Sequence, residues 1–474
     1  MTTQGATVAV IGGGVTGLYT AHLLGEAGAQ VRVYEATSRV GGQLHTTEVG
    51  GVPVDVGAEA MHLGAPGAAD VIGSLGLTDS IVTARPGKSW IVTPKGLRRL
   101  PAGVGPAGPT KLRPVLSSGV MTVPGLVRAG LEPILARAGS SVDLSPGNDR
   151  SVGDFVAGRF GSQVVDRFVD PLLGGLHAGD VRRLSLRATA PSLVPAAQEG
   201  RSLVAKRPTP KGVRRAAPAM SFVSWADGLS TVAGALAARS DVRTDAPVDR
   251  IERLDDGRYR LHIGGSDAHT FDADAVVLAV PSHVATTLLS GVADVAAATV
   301  GATERASVAT VVLAYPRHVV DALPAFAGTG VLVPSTTGSL LKAATFLSTK
   351  WPHLDRPDLY FVRLSAGRAG DDRLAALDDD ALVTRLSADL KSFIGLDVPP
   401  AHTHVQRWPA AMPQLTVGHP DRLATARADL PSGLVIAGAS YDGIGIASCL
   451  GSARRAVTDL TTQLDPAAQG GTRA

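Results

Sequence analysis

The stretch VAVIGGGVTG, residues 8–17, constrains this chain more than any other. Val8, Val10 and Ile11 read as a short strand that is apolar on both faces, as buried parallel strands are. Gly12, Gly14 and Gly17 follow on a GxGxxG spacing. The first permits a tight turn, and the second lets a pyrophosphate approach the backbone. The third lets the next helix, from Leu18 to Leu24 and on to Gly28, pack against the sheet. Val15 and Thr16 then stand at a helix start, where free N–H groups and the dipole favour phosphate. A glycine-rich turn of any α/β domain would also fit the cluster alone. VRVYE, residues 31–35, adds a second strand ending in an acid. Glu35, with Ala36 after it, has the position from which a carboxylate accepts ribose hydroxyls. Together these predict a dinucleotide-binding fold, with NAD and FAD both open.

EATSRVGGQLHT follows at once, carrying Arg39, Gly41, Gly42 and Gln43. It resembles the ExxxRxGG extension of the flavin-containing amine oxidase and protoporphyrinogen oxidase superfamily. The resemblance implies FAD, with this segment wrapped around its pyrophosphate and ribitol. The chemistry agrees: an arginine offers a fork of donors to phosphate oxygens, and paired glycines let backbone lie against a ligand. In GVPVDVGAEAM, residues 51–61, Gly57, Ala58, Glu59 and Ala60 resemble the turn that approaches the isoalloxazine.

A chain of 474 residues exceeds one small core, so two or more domains are expected. Apolar residues at 45% and charged residues at 18% are an ordinary globular balance. No apolar run is long enough for a membrane span, and MTTQGATVAV lacks the basic region of a signal peptide. The one cysteine, Cys449, excludes an intrachain disulfide framework and agrees with a cytoplasmic setting. A net charge of +3 gives no case for nucleic acid, and no Cys/His spacing of zinc type occurs, so no metal is expected. Two basic runs, Lys95 to Arg113 and 205–215, read first as solvated loop charge and second as attraction for a polyanionic substrate.

The expected fold class is α/β: a Rossmann-like FAD-binding domain assembled from separated segments, with an inserted α+β substrate domain and a helical subdomain. The FAD-binding pieces are 1–85, 216–290 and 416–465. A helical subdomain covers 86–215 and a substrate domain 291–415, and 466–474 is expected to be a disordered tail.

Two further stretches narrow the family. SVGDFVAGRFGSQVVDRFVDPLLGGLHAGDVRRLSLRAT (151–189) and QRWPAAMPQLTVGH (406–419) closely resemble segments of protoporphyrinogen oxidase-type enzymes. FLSTKWPHL and GASYDGIGIASCL match as well, so the resemblance runs in order through nearly the whole chain. It implies non-covalent FAD and the oxidation of a porphyrinogen to a porphyrin by O2, with release of peroxide. The alanine-rich composition points to a high-GC genome, and in Gram-positive bacteria of that kind the family member oxidises coproporphyrinogen III. The family also implies a hand-off of product to a chelatase and allows peripheral membrane contact. By the same resemblance Val248 touches the adenine through its backbone and Trp408 lies near the flavin. Gly443, Ile444, Gly445 and Ile446 open the last helix toward the pyrimidine end, where N–H groups stabilise negative charge. Trp408 reads equally well as a core aromatic anchored by its N–H, and Tyr441 as substrate-facing or as a turn residue. Cys449 reads as a buried thiol ahead of a covalent flavin link.

Aromatization needs hydride removal and proton loss rather than a nucleophile or metal, so no side chain is nominated as catalyst. In mitochondrial and plastid relatives an arginine within the segment matching 87–96 anchors a propionate. This chain reads Ser89 and Trp90 there, with Lys88 alongside. Lys88, Arg98 and Arg99 are therefore the candidates for substrate carboxylates. The alternatives are protoporphyrinogen IX as substrate, an FAD amine or polyene oxidase, and a non-catalytic porphyrin-binding flavoprotein.

Overall fold

The computed structural model describes residues 4–138, 141–204 and 222–464. The basic run 205–215 and the tail 466–474 lie outside the described residues. Five parallel strands form one sheet in the order Asp241–Arg243, Gln30–Tyr34, Thr7–Ile11, Ala275–Leu278, Leu434–Ile436. They come from three distant stretches of chain, and their apolar run pattern follows from burial on both faces. Helices Val15–Glu26, Ser230–Ala237 and Ile446–Leu464 cover one face, where Val10, Leu18, Leu24, Val277, Leu450 and Leu460 are fully buried. The hairpin Val248–Arg253 and Tyr259–Ile263, joined around Asp256–Gly257, covers the other face with Ser282–Leu289 and Asp294–Gly301.

A second sheet of seven strands runs in the order His402–Pro413, Arg305–Pro316, Leu359–Ala366, Leu341–Phe346, Gly330–Leu332, Trp90–Thr93, Gly96–Arg99. Only the pairing of Gly330–Leu332 with Trp90–Thr93 is parallel. One face packs under helix Asp379–Ile394, whose start is capped by the Asp378 carboxylate on the Ala381 N–H and whose end turns at Gly395 with φ +78°. Leu382, Leu386 and Leu390 repeat every fourth residue on its buried side. Each contributes about 1.5–3 kcal/mol by burial, so Leu386→Ala is the single change that loosens this layer most directly.

Helices between residues 112 and 198 form the helical part, among them Val123–Gly130 and Val152–Phe160. Over VDRFVDPLLG the helix widens to a π turn, Val165–Gly174. Pro171 has no N–H to give and would clash with a tighter turn, which accounts for the widening. No helix among the described residues is long and apolar enough to cross a membrane.

Candidate active site

The glycine turn has the steric demands that its spacing implies. Gly12 has φ +105°, and a Cβ there would stand 2.6 Å from the Ala279 carbonyl oxygen. A Cβ on Gly17 would stand 2.0 Å from the Gly12 oxygen. Gly14 faces open space and caps the helix without a side chain. The first intrahelical bond is Leu18 N–H to Gly14 O at 3.0 Å, so the N–H groups of Val15, Thr16 and Gly17 have no helical acceptor.

The next motif packs directly onto this turn. Gly41 N–H donates to Gly13 O at 2.7 Å, and Gly42 lies so close that an added Cβ would be 3.2 Å from the Gly14 Cα. Arg39 donates to the Gly42 carbonyl at 2.7 Å and the Val40 carbonyl at 3.3 Å, which fixes its guanidinium beside the turn. Glu35 accepts from Gly13 N–H at 2.8 Å through one oxygen, and from Thr37 N–H and Oγ1 at 2.9 and 2.8 Å through the other. Ala36 follows it outside the cavity wall.

These groups open on a cavity of about 310 Å³. Of the residues expected at a cofactor, Gly14, Val15, Thr16, Glu35, Arg39, Gly41, Gly42, Gln43, Ala58, Trp408, Ile444 and Ile446 line it. Thr37, Leu44, Ala279 to Pro281, His283, Pro409 to Ala411, Gly438 to Ser440 and Cys449 line it too, and motif reading missed them as site residues. Ala279 to Pro281 had a signal: they follow a strand of the parallel sheet at its carboxyl end, where ligands of open α/β sheets bind. The cavity therefore meets the starts of two helices, Val15–Glu26 and Ile446–Leu464. Such a cavity suits an elongated ligand with a pyrophosphate at the helix starts, hydroxyls toward Glu35 and a flat ring against Trp408 and Ala58.

The ring end is locked by contacts across the chain. Trp408 Nε1 donates to Val56 O at 3.2 Å, and a Cβ on Gly57 would fall 2.0 Å from Gln43 O and 3.1 Å from Trp408 Cζ2. Trp408 thus both lines the cavity and is anchored by its N–H. Gln43 Nε2 donates to Ala411 O at 3.0 Å. Arg363 donates to the Gly57 carbonyl and, at 3.1 Å, to Glu59. Glu59 points away from the cavity and also accepts from Lys350 Nζ at 2.7 Å and Trp351 Nε1 at 2.9 Å. Burial alone would push its carboxyl up, but Lys350 and Arg363 outweigh burial and hold it at about 2.

The other expected residues lie behind the wall. Val248 begins a hairpin strand and packs on the core beneath the sheet. Ala60 borders the apolar cluster around Trp351. Gly443, at φ +119°, and Gly445 form the turn before Ile446, with Gly445 O accepting from Cys449 N–H at 2.9 Å. Tyr441 is buried with its hydroxyl donating to Val280 O at 3.2 Å, which makes it a core residue. Cys449 is 7% exposed. Burial raises its thiol pKa, and its hydrogen bond is with Thr16, in the first turn of helix Val15–Glu26.

Beyond Glu59 lies a larger cavity of about 570 Å³, whose wall includes Arg85, Ser89, Phe222, Leu332, Thr345 and Lys350. Lys88, Arg98 and Arg99 are not in it. They line a separate pocket of about 480 Å³. Arg99 stacks 3.7 Å above the Trp90 ring and donates to Lys88 O at 3.3 Å, while Arg98 donates to Leu97 O at 3.0 Å. Their strand, Gly96–Arg99, is the opposite edge of the seven-stranded sheet from the strand bearing Trp408. Six strand spacings separate the edges, roughly 29 Å along the sheet.

The family model described as flavin containing amine oxidoreductase matches residues 15–461. Coproporphyrinogen III oxidase of Mycobacterium tuberculosis (strain ATCC 25618 / H37Rv) is 37% identical over 465 residues, covering 96% of this chain and 97% of that protein. The Bacillus subtilis (strain 168) protein of the same name is 29% identical, with 96% and 98% covered. Protoporphyrinogen oxidase 1, chloroplastic, of Arabidopsis thaliana is 28% identical, with 93% and 85% covered. A crystal structure from Exiguobacterium sp. 255-15, named for protoporphyrinogen oxidase, superposes with a TM-score of 0.82 at 27% identity over 98% of this chain and 99% of that one.

Proposed function

The chain belongs to the flavin containing amine oxidoreductase family, and from that premise we propose that it is a coproporphyrinogen III oxidase with non-covalent FAD. The observation that carries the reading is a continuous wall: Ala58 lines the cofactor cavity, Glu59 beside it bonds Lys350, and Lys350 lines the larger cavity. A macrocycle held in that larger cavity would lie next to the Gly57–Ala58 turn that would carry the ring end of the cofactor. The full-length likeness to coproporphyrinogen III oxidases supports the substrate.

When bound, the flavin supplies the hydride acceptor and passes the electrons to O2. The helix starts at Val15 and Ile446 and the Arg39 fork hold the negative parts of the cofactor. Arg363 on the Gly57 carbonyl and Trp408 on the Val56 carbonyl fix the backbone that would hold its ring. Cys449 is kept protonated by burial and bonds Thr16, so it is a poor nucleophile toward a flavin, which supports non-covalent binding. Oxidation of the porphyrinogen removes six electrons and six protons, so three O2 become three H2O2 in three flavin cycles. The same reading makes the enzyme cytoplasmic, with its product passing to a metal-inserting chelatase.

Protoporphyrinogen IX is the second reading, favoured by the name of the Arabidopsis relative. Amine oxidation is disfavoured: an amine needs an aromatic cage, and Phe222 is the only aromatic residue lining the larger cavity among the described residues. Anaerobic mixing with coproporphyrinogen III tests the proposal. The visible flavin absorbance bleaches and returns when air is admitted. Persistent oxidised flavin overturns it.

A further inference from the structure

Two cations line the larger cavity, Arg85 and Lys350. The Arg85 N–H donates to the Lys350 carbonyl at 2.7 Å, which holds the two backbones side by side. Ala84 N–H donates to the Phe222 carbonyl at 2.9 Å, so the aromatic wall residue is tied to the same stretch. Each wall cation shares its carboxylate with an arginine outside the wall. Lys350 shares Glu59 with Arg363. Arg85 shares Asp355 with Arg317, at 2.6 and 2.5 Å on opposite oxygens. Arg363 and Lys342 stand in neighbouring strands of the sheet, but neither lines this cavity, and Lys342 is only 4% exposed.

Arg85 keeps donors in reserve. Its bond to Asp355 uses Nη1 alone, and its Nε and Nη2 meet no acceptor among the described residues. Arg317 is held more firmly, with Nε on Asp321 at 3.1 Å and Nη1 also on the Arg356 carbonyl at 2.9 Å. Asp355 therefore stays paired with Arg317 whichever way Arg85 turns. The Arg85 side chain is 45% exposed. An ion pair so open to water contributes little, so shifting it costs little.

We propose that Arg85 is the receptor for a carboxylate of the substrate at the wall of the larger cavity, held ready there by Asp355 and Arg317. The inference rests on the reading of the substrate as a tetracarboxylate macrocycle. It places carboxylate recognition here rather than at Lys88, Arg98 and Arg99. A guanidinium edge offers two parallel N–H groups to a carboxylate, and Nε with Nη2 is such an edge while Nη1 stays on Asp355. Lys350 beside it adds positive potential. Phe222, Val331 and Leu332 give the same cavity apolar surface. A wall divided in this way matches a ligand with an apolar body and carboxylates at its periphery.

Fluorescence titration of flavin-loaded protein with coproporphyrin III and with its uncharged tetramethyl ester, in the same mild detergent, separates charge recognition from packing. Arg85→Gln is expected to lose about tenfold in coproporphyrin affinity with ester affinity unchanged, and Arg85→Lys to recover part of the loss. Asp355→Asn distinguishes a receptor from a structural ion pair, because it breaks the pair yet leaves Arg85 in place. It is expected to bind coproporphyrin at least as tightly as the parent. Should that variant fail to retain flavin, Arg85→Gln against Arg85→Lys still decides. The receptor is overturned by an Arg85→Gln protein that binds both ligands as the parent does or loses both in parallel. It is overturned equally by an Asp355→Asn protein that retains flavin and loses as much coproporphyrin affinity as Arg85→Gln. A parent that binds neither ligand and turns over no coproporphyrinogen overturns the functional reading itself, and the receptor with it.

Discussion

Glu59 and Lys350, 291 residues apart in sequence, meet at 2.7 Å between Oε1 and Nζ, on the wall between the two cavities. With Arg363 on the other carboxylate oxygen, this contact ties the Gly57–Ala58 turn beside the smaller cavity to the sheet that borders the larger one. Glu59→Gln leaves two cations without their counter-charge, and the expected cost is about 3–5 kcal/mol of stability. The pH dependence has a definite sign. The folded carboxyl titrates at about 2 against an ordinary 4.5, so its contribution is complete above 4.5 and is lost as pH falls toward 2. Denaturant unfolding of parent and variant across that range checks this: the stability gap narrows below 4.5.

Gly17→Val is expected to abolish flavin retention, because its side chain would occupy the space of the Gly12 carbonyl, 2.0 Å from the Cβ position. Glu35→Gln keeps the shape and removes charge-assisted bonds, each about 1.5–3 kcal/mol at most. Flavin content after gel filtration separates the two, with none in the first variant and partial loss in the second. Acid or heat denaturation releases the flavin from the parent. Flavin retained on denatured polypeptide would contradict non-covalent binding.

A triple variant, Lys88→Ala, Arg98→Ala, Arg99→Ala, is expected to keep the parent's KM for coproporphyrinogen and its salt dependence. Arg98 and Arg99 sit at the sheet edge opposite Trp408, Arg99 is stacked on Trp90, and Lys88 lines the same outer pocket rather than the larger cavity. Steady-state kinetics at two salt concentrations decide the point. A raised KM with a weaker salt dependence than the parent's would return substrate recognition to these residues.

What was legible in the sequence was what local backbone geometry demands. Gly12 and Gly17 admit no side chain and Glu35 follows its strand, so spacing revealed them, while Arg39 to Gly42, which lie on the turn, were found through the resemblance of their motif. Cys449 likewise followed from its place in an apolar helix face. Illegible were the contacts made only by folding distant chain together: Glu59 with Lys350 and Arg363, and Val280, Pro281 and His283 on the smaller cavity. Tyr441 shows the same limit, since only the fold reveals that its hydroxyl is taken by Val280. A run of positive charge such as KGLRRL is conspicuous in sequence, whereas a single interior lysine is not.

Lys342 should leave a signature in stability. The unfolded chain holds this proton up to 10.5 and the folded chain only to about 7, so between those values the unfolded state binds more protons. Stability of the ligand-free parent therefore gains from this group as pH rises from about 7, and Lys342→Met lacks that gain. Unfolding free energies of both proteins at neutral and alkaline pH check it. The variant's advantage at neutral pH shrinks toward pH 10.5.

The most direct test is turnover of coproporphyrinogen III and protoporphyrinogen IX, side by side under air, with porphyrin and peroxide both counted. The account predicts coproporphyrin III as the favoured product, with about three H2O2 for each porphyrin. Porphyrin formation without peroxide, or a clear preference for protoporphyrinogen IX, would contradict it.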